Sequence, residues 1–311
     1  MPPLRFEDVQ VILGEPNAQV RSAARAALAS HGFKSVVDTG SFGPLSDAVT
    51  SNSVDLVICD VRLLGGDPFI LFNKIRHNEI GNNPFILIIM TMETPTSDVV
   101  KQVFNCGADD LLVKPLSPRQ LMVRIEALAK GRKPFVVTHD YIGPDRRKDA
   151  RPGEGADTPQ IDVPNPLKSK VVGGKDPARM QQLIDAAASL INEHKMERHS
   201  GQIAWLVERI VPAPQKGGDV ALTGHLIRLL YVSEDLSRRL RGTRFSHVEE
   251  LALSLVGLAS RIRDTPKSPD PTDIDLLPKL SQAIKRAFDS VSAEAAQENS
   301  RVIDLSPNES K

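Results

Sequence analysis

Over residues 4–130, short apolar runs alternate five times with stretches of helical spacing, and this alternation constrains the fold more than any other feature. The apolar runs fall at 9–13, 35–37, 55–59, 85–90 and 111–113. The helical stretches fall at 17–30, 45–50, 68–76, 97–105 and 118–130. Five β/α repeats predict a parallel sheet with helices on both faces. The runs at 56–59 and 86–90 are apolar at nearly every position, as strands covered on both faces must be. Asn17 and Ser117 stand where helix caps belong. In such a sheet, ligand chemistry gathers at the carboxyl ends of the strands.

Those ends carry a particular set of polar residues. Glu15 lies just past the first run, Asp60 ends the third, Thr91 ends the fourth and Lys114 follows the fifth. Two carboxylates, a hydroxyl and an ammonium form a set suited to a divalent cation and a phosphoryl group. Hard oxygen ligands favour Mg²⁺, which keeps several waters and takes one or two carboxylates. Asp60 is then the nucleophile, with Lys114 and Thr91 contacting phosphoryl oxygens.

The segments VILGEPN, DLVICDVRLLGGDPF, ILIIMTMET and GADDLLVKPLSPRQLMVRIEALAK together resemble the receiver domain of two-component response regulators. The resemblance implies a flavodoxin-like α/β fold of five parallel strands in the order 2-1-3-4-5. It also implies phosphorylation of Asp60 by a histidine kinase or phosphotransfer protein, and Mg²⁺ held by Glu15, Asp60 and the backbone carbonyl of Arg62. Three positions depart from the pattern. Pro16 replaces the second of two adjacent acidic residues, which weakens the expected Mg²⁺ site. Leu64 replaces a proline after the acceptor, and Leu111 replaces the aromatic switch residue of the fifth strand. The GADD and KPLSPRQLMVRIEAL segments look most like the receivers of winged-helix transcription factors. For those, the family pattern is a homodimer through helix 4, strand 5 and helix 5, here with Lys101, Asp110, Arg119 and Arg124 as charge partners.

Beyond residue 130 the pattern changes. Residues 131–174 are rich in Pro, Gly and Arg and lack apolar periodicity, so they read as a basic, largely disordered linker. Within it, residues 135–137 with Tyr141 and Ile142 are candidates to pack back onto the first domain. Residues 175–296 read as an all-α helical bundle, an output or interaction domain. Its stripes include Met180, Ile184, Ala187 and Ile191, then Ile203, Leu206 and Ile210 after a break near Gly201. Trp205, Phe245 and Phe288 are expected in its core. Residues 297–311 read as a polar tail.

Composition narrows the function classes. Lys+Arg and Asp+Glu both number 39 in the 311 residues, which argues against a protein that chiefly coats nucleic acid or anionic membrane. Cys59 and Cys106 lie in apolar runs and read as buried hydrophobes of a reducing compartment. No apolar run of about 18 residues is present to span a membrane, and a cytoplasmic location is expected. Arg146, Arg147 and Arg151 imitate part of a cyclic-di-GMP-binding motif, but the elements that should follow are missing. His225 and His247 sit on helices without the neighbours of a phosphorelay histidine.

The sequence therefore predicts a response regulator whose phosphorylation at Asp60 switches the association of its helical domain with a second copy or an unknown protein partner. It is not an enzyme on external metabolites. Two alternatives stay open: a phosphorylation-independent scaffold, and a DNA-binding transcriptional regulator with an unrecognised output domain.

Overall fold

A computed structural model describes residues 4–51, 53–147, 158–173, 176–212, 220–266 and 268–304, without the side chains of residues 220 and 291–304. The chain divides into two compact units, Met1–Ile191 and Asn192–Lys311.

The first unit opens with the anticipated alternation: β1 (Gln10–Gly14), α1 (Ala18–Ser30), β2 (Ser35–Thr39), α2 (Phe42–Ser51), β3 (Leu56–Asp60), α3 (Pro68–Arg76), β4 (Leu87–Met92), α4 (Ser97–Asn105), β5 (Asp110–Val113) and α5 (Pro118–Lys130). The five strands are parallel, in the order β2-β1-β3-β4-β5. Every residue of β3 and β4 is buried. That explains their unbroken apolar character, since each buried Leu, Ile or Val contributes roughly 1.5–3 kcal/mol. Alternate residues feed two cores, one on each face. Val11, Leu13, Leu56, Ile58 and Leu87 pack under α1 and α5, while Ile12, Val57, Ile88 and Met90 pack under α2, α3 and α4. The helix starts are written locally. The Asn17 side chain accepts hydrogen bonds from the amides of Gln19 and Val20, and Ser117 forms a capping box with Gln120. Cys59 and Cys106 are buried free thiols, and burial pushes Cys106 up to about 12.

The segment read as a linker is more ordered than expected, although the packing of residues 135–137 and Ile142 onto the first domain was anticipated. Its described residues form two short antiparallel strands, β6 (Phe135–Val137) and β7 (Ile142–Pro144), and a helix α6 (Pro166–Val172). Leu167 and Val171 of α6 join the core beside α5. Phe135, Val137, Ile142 and Ile161 join Phe85 and the first turns of a long helix, α7 (Pro177–Ile210), through Ile184, Ala187 and Ile191. The helical part was expected to begin at 175 as a separate domain. Instead the first unit extends to Ile191, because these apolar side chains bury against Phe85, β6 and β7. Lys148, Arg151 and the rest of 148–157 lie outside the described residues.

The polar side of this attachment is a buried ion network. Arg76 donates to the carbonyls of Gly107 (2.9 Å) and Pro84 (2.5 Å) and to Asp109 (2.9 Å). Arg132 donates to Asp109 (2.9 Å) and to the Phe85 carbonyl (2.6 Å). Both guanidiniums face the Phe135 ring, at 5.3 and 4.6 Å from its centroid. Arg146 lies over Phe104 and donates to the Ala108 carbonyl. Arg76 of α3 thus joins Arg132 and Arg146, from the segment read as a basic linker, in fixing β6 and β7 to the amino ends of β4 and β5.

Gly107 sits at the centre of that junction with φ +81°, and a Cβ there would lie 2.7 Å from Arg76 Cγ and 2.9 Å from the Ile142 carbonyl oxygen. Gly107→Ala is expected to cost about 1–3 kcal/mol, read as a lower denaturant midpoint for the first unit.

The second unit contains the rest of α7, then α8 (Val220–Leu240), a short 3-10 turn (Ser246–Val248), α9 (Glu249–Asp264) and α10 (Pro271–Asp304). Their apolar stripes share one core that includes Ile203, Leu226, Leu236, Leu255, Ile262 and Phe288. Phe245 stacks on Phe288 with centroids 4.6 Å apart. Three expectations change here. α7 runs through Gly201 without a break, because a helical glycine costs only about 1 kcal/mol and buried Met196 and Ile203 flank it. Trp205 is half exposed rather than core, edge-on to His225 and under the Arg209 guanidinium. α10 continues to Asp304, past the start expected for a polar tail at 297.

Candidate phosphoryl-transfer site

Parallel strand order brings the carboxyl ends of β1, β3, β4 and β5 together, and with them the residues singled out from the sequence. Glu15 and Asp60 are 2% and 3% exposed, so neither carboxylate is an incidental surface charge. Lys114 Nζ lies 2.5 Å from Glu15 Oε2 and 2.5 Å from Asp60 Oδ2. Asp60 Oδ1 accepts the backbone N–H of Arg62 at 2.6 Å, and Glu15 Oε1 accepts that of Asn17 at 2.9 Å. Thr91, also buried, is the register partner of Asp60 on the neighbouring strand. Glu15, Asp60 and Lys114 meet as predicted, and Thr91 stands next to Asp60 in the strand register.

Electrostatics favour a charged lysine in this position. Burial works against the ammonium of Lys114, but hydrogen bonds to Asp60 and Glu15 and their negative charges outweigh it, so its pKa is raised. Arg21 steadies the loop after β1 by donating to the Glu15 carbonyl oxygen at 2.6 Å, while its Nε lies 3.3 Å from Asp38. No sequence signal had marked Arg21 as part of the site beyond its place downstream of Glu15.

Two carboxylates converging on one ammonium fit a Mg²⁺ ion that retains most of its water. Pro16 offers no third oxygen ligand from a side chain, and among the described residues no group of three His, Cys, Asp or Glu is arranged to hold a metal. Arg62 presents an exposed side chain two residues after Asp60. Leu111 is partly buried and packs against the core under α2, α3 and α4.

A family model described as the response regulator receiver domain matches residues 11–126. Residues 11–126 are a response regulator receiver domain. No family model matches the C-terminal half. The transcriptional regulatory protein GltR of Pseudomonas aeruginosa is 32% identical over 123 residues, covering 39% of this chain and 48% of its own length. AruR, a transcriptional regulatory protein of the same species, is 30% identical over 129 residues, covering 41% and 46%. The phosphate regulon regulatory protein PhoB of Klebsiella pneumoniae is 26% identical over 128 residues, covering 41% and 55%. The chain spans about half the length of these relatives. Among solved structures, chemotaxis protein CheY4 of Vibrio cholerae aligns with a TM-score of 0.35 at 18% identity, covering 38% of this chain and 97% of its own.

The receiver's α4–β5–α5 face carries the charges named as dimer contacts, and within the chain some of them already have partners. Arg124 lies 3.6 Å from Asp110, and Lys101 lies 4.0 Å from Asp98. No helix among the described residues is long and apolar enough to cross a membrane.

Proposed function

We propose that this protein is a phosphorylation switch in which Asp60 accepts a phosphoryl group from the phosphohistidine of a kinase or phosphotransfer protein. The observation that carries the reading is Lys114, held 2.5 Å from both carboxylates, with Thr91 paired to Asp60 in the sheet. An Asp60 carboxylate oxygen attacks phosphorus as the bond to the donor histidine breaks, giving an aspartyl phosphate and free imidazole. The Arg62 amide keeps the other carboxylate oxygen oriented. Lys114 then exchanges its contact with Asp60 for a phosphoryl oxygen, while the Thr91 hydroxyl donates to another. A Mg²⁺ ion held by Glu15, Asp60 and the carbonyl of Arg62 would supply charge neutralisation for the incoming phosphoryl group.

The output is read as a change in how the helical unit associates with a second copy or with a protein partner. A new charge–hydroxyl contact at Thr91 would bias the α4–β5–α5 face between two arrangements. The relatives named as transcriptional regulators support DNA as an alternative target of that output. Incubation with acetyl phosphate and Mg²⁺ is expected to label the wild-type chain and not Asp60→Asn. Labelling that survives in the variant would sink the assignment.

Pro16 favours the second reading, a scaffold that does not depend on phosphorylation, because it removes a ligand from the metal site. Pro16→Asp is therefore expected to strengthen Mg²⁺ binding by roughly tenfold or more, measured by isothermal titration. A wild type that neither binds Mg²⁺ nor takes label would establish the scaffold instead.

A further inference from the structure

The end of the sheet away from Asp60 contains a cavity of about 550 Å³. It opens at the amino ends of β1, β3 and β4 and is lined on the other side by α6, from the segment that reads as a linker in sequence, and by the start of α7. Its volume lies within the roughly 300–1,000 Å³ of small-molecule sites, and its lining is divided between polar and apolar side chains. Val54, Ile86, Met180 and Ile184 supply the apolar surface.

One polar group in it stands out. Asp55 lines the cavity and is 3% exposed. Its Oδ2 accepts the Gln10 N–H at 2.9 Å, while Lys170 Nζ stays at 3.9 Å, beyond hydrogen-bond distance. Among the described residues, no donor is bonded to Oδ1. The carboxylate thus keeps one oxygen open, with Lys170 at ion-pair distance but not hydrogen-bonded to it. Glu7, Asp8 and Asp176 also line the cavity, against Lys170 as the lining lysine. Lys34 lies 2.5 Å from Glu7 and meets its charge, and among the described lining residues an excess of negative charge remains.

We propose that this cavity binds an organic cation, a protonated primary amine on an apolar body, with the ammonium on Asp55 and the body against Val54, Ile86, Met180 and Ile184. Lys170, partly exposed and not in hydrogen-bond contact, competes for the carboxylate and swings aside. The site is separate from phosphoryl transfer. Asp55 immediately precedes β3 and Asp60 ends it, a separation of about 17 Å at roughly 3.3 Å per residue.

Three isosteric probes differing only in the head group test this on the full chain by isothermal titration: 2-phenylethylamine, 2-phenylethanol and phenylacetate. The amine is expected to bind, the alcohol to bind about tenfold more weakly or less, and the anion not to bind. Asp55→Asn should weaken the amine by about tenfold or more, with circular dichroism unchanged. Lys170→Ala should bind it as tightly as wild type or tighter, and this variant decides the matter if Asp55→Asn does not fold. Absence of amine binding overturns the proposal, as does equal binding of amine and alcohol, an indifferent Asp55→Asn, or a weakened Lys170→Ala. Asp60→Asn should leave amine affinity unchanged, and a loss there would overturn assignment to this cavity.

Discussion

Replacing Asp109 with alanine is expected to destabilise the first unit by about 3–5 kcal/mol, more than any single apolar truncation at its surface. Asp109 accepts from Arg76, Arg132 and the Ile88 amide at 2.9 Å each. The arginine side chains are 0% and 3% exposed. Burial pulls Arg76 down to about 10, and the Asp109 charge is the main force opposing that shift. Alanine would leave two guanidiniums in the protein interior without a counter-ion. Chemical denaturation followed by far-ultraviolet circular dichroism measures the loss. A double-mutant cycle with Arg132→Ala should show strong coupling, since the two residues form one network. Additive effects would mean that Asp109 acts through the Ile88 hydrogen bond alone.

Acid is expected to weaken the second unit before ordinary carboxylates titrate. His199 of α7 is fully buried, and its Nε2 lies 2.6 Å from Asp235 of α8, while its Nδ1 lacks a hydrogen-bond partner. Burial is the largest influence and lowers its pKa from 6.5 to about 4, with help from the charges of Lys195 and Arg239 and against the pull of Asp235. The unfolded chain therefore binds this proton first as pH falls. Stability is lost progressively between pH 6.5 and 4, by on the order of 3 kcal/mol. Asp235 is held well below the usual carboxylate range by His199 and Arg239 in spite of burial, so its own contribution is lost only at lower pH. Trp205, the single tryptophan, lies in this unit and provides a fluorescence readout. His199→Gln should flatten the pH dependence in that window. An equal slope in the variant would refute the mechanism.

Much of the candidate site was legible because its residues end or directly follow apolar runs. Once a parallel sheet is inferred from the period, Glu15, Asp60, Thr91 and Lys114 are forced to one edge. The cysteines were equally readable, since their neighbours were apolar. The His199–Asp235 pair was not. Each residue sits on a helix in a polar stretch, 36 positions from the other, and only the packing of α7 on α8 removes both from water.

The extension after α5 shows the same limit more sharply. Strands of three residues, such as β6 and β7, are too short to display alternation, and Pro and Gly outweigh their few apolar side chains. What orders them is contributed from elsewhere: Arg76, Asp109 and Phe85 from the receiver, and Ile184 and Ile191 from α7. The half-exposed Trp205 teaches the converse, since aromatic character alone did not place it inside.

The sequence by itself determined the doubly wound sheet, the strand-end chemistry around Asp60 and the loss of an acidic residue at Pro16. These depend on local periodicity and on chain direction, which any stretch of sequence carries. Tertiary structure alone decided that arginines 76, 132 and 146 bind the extension into the first unit, that the helical segment divides after Ile191, and that a cavity forms over Asp55. Those features arise from burial of charge between distant segments, and desolvation acts only once the segments are packed.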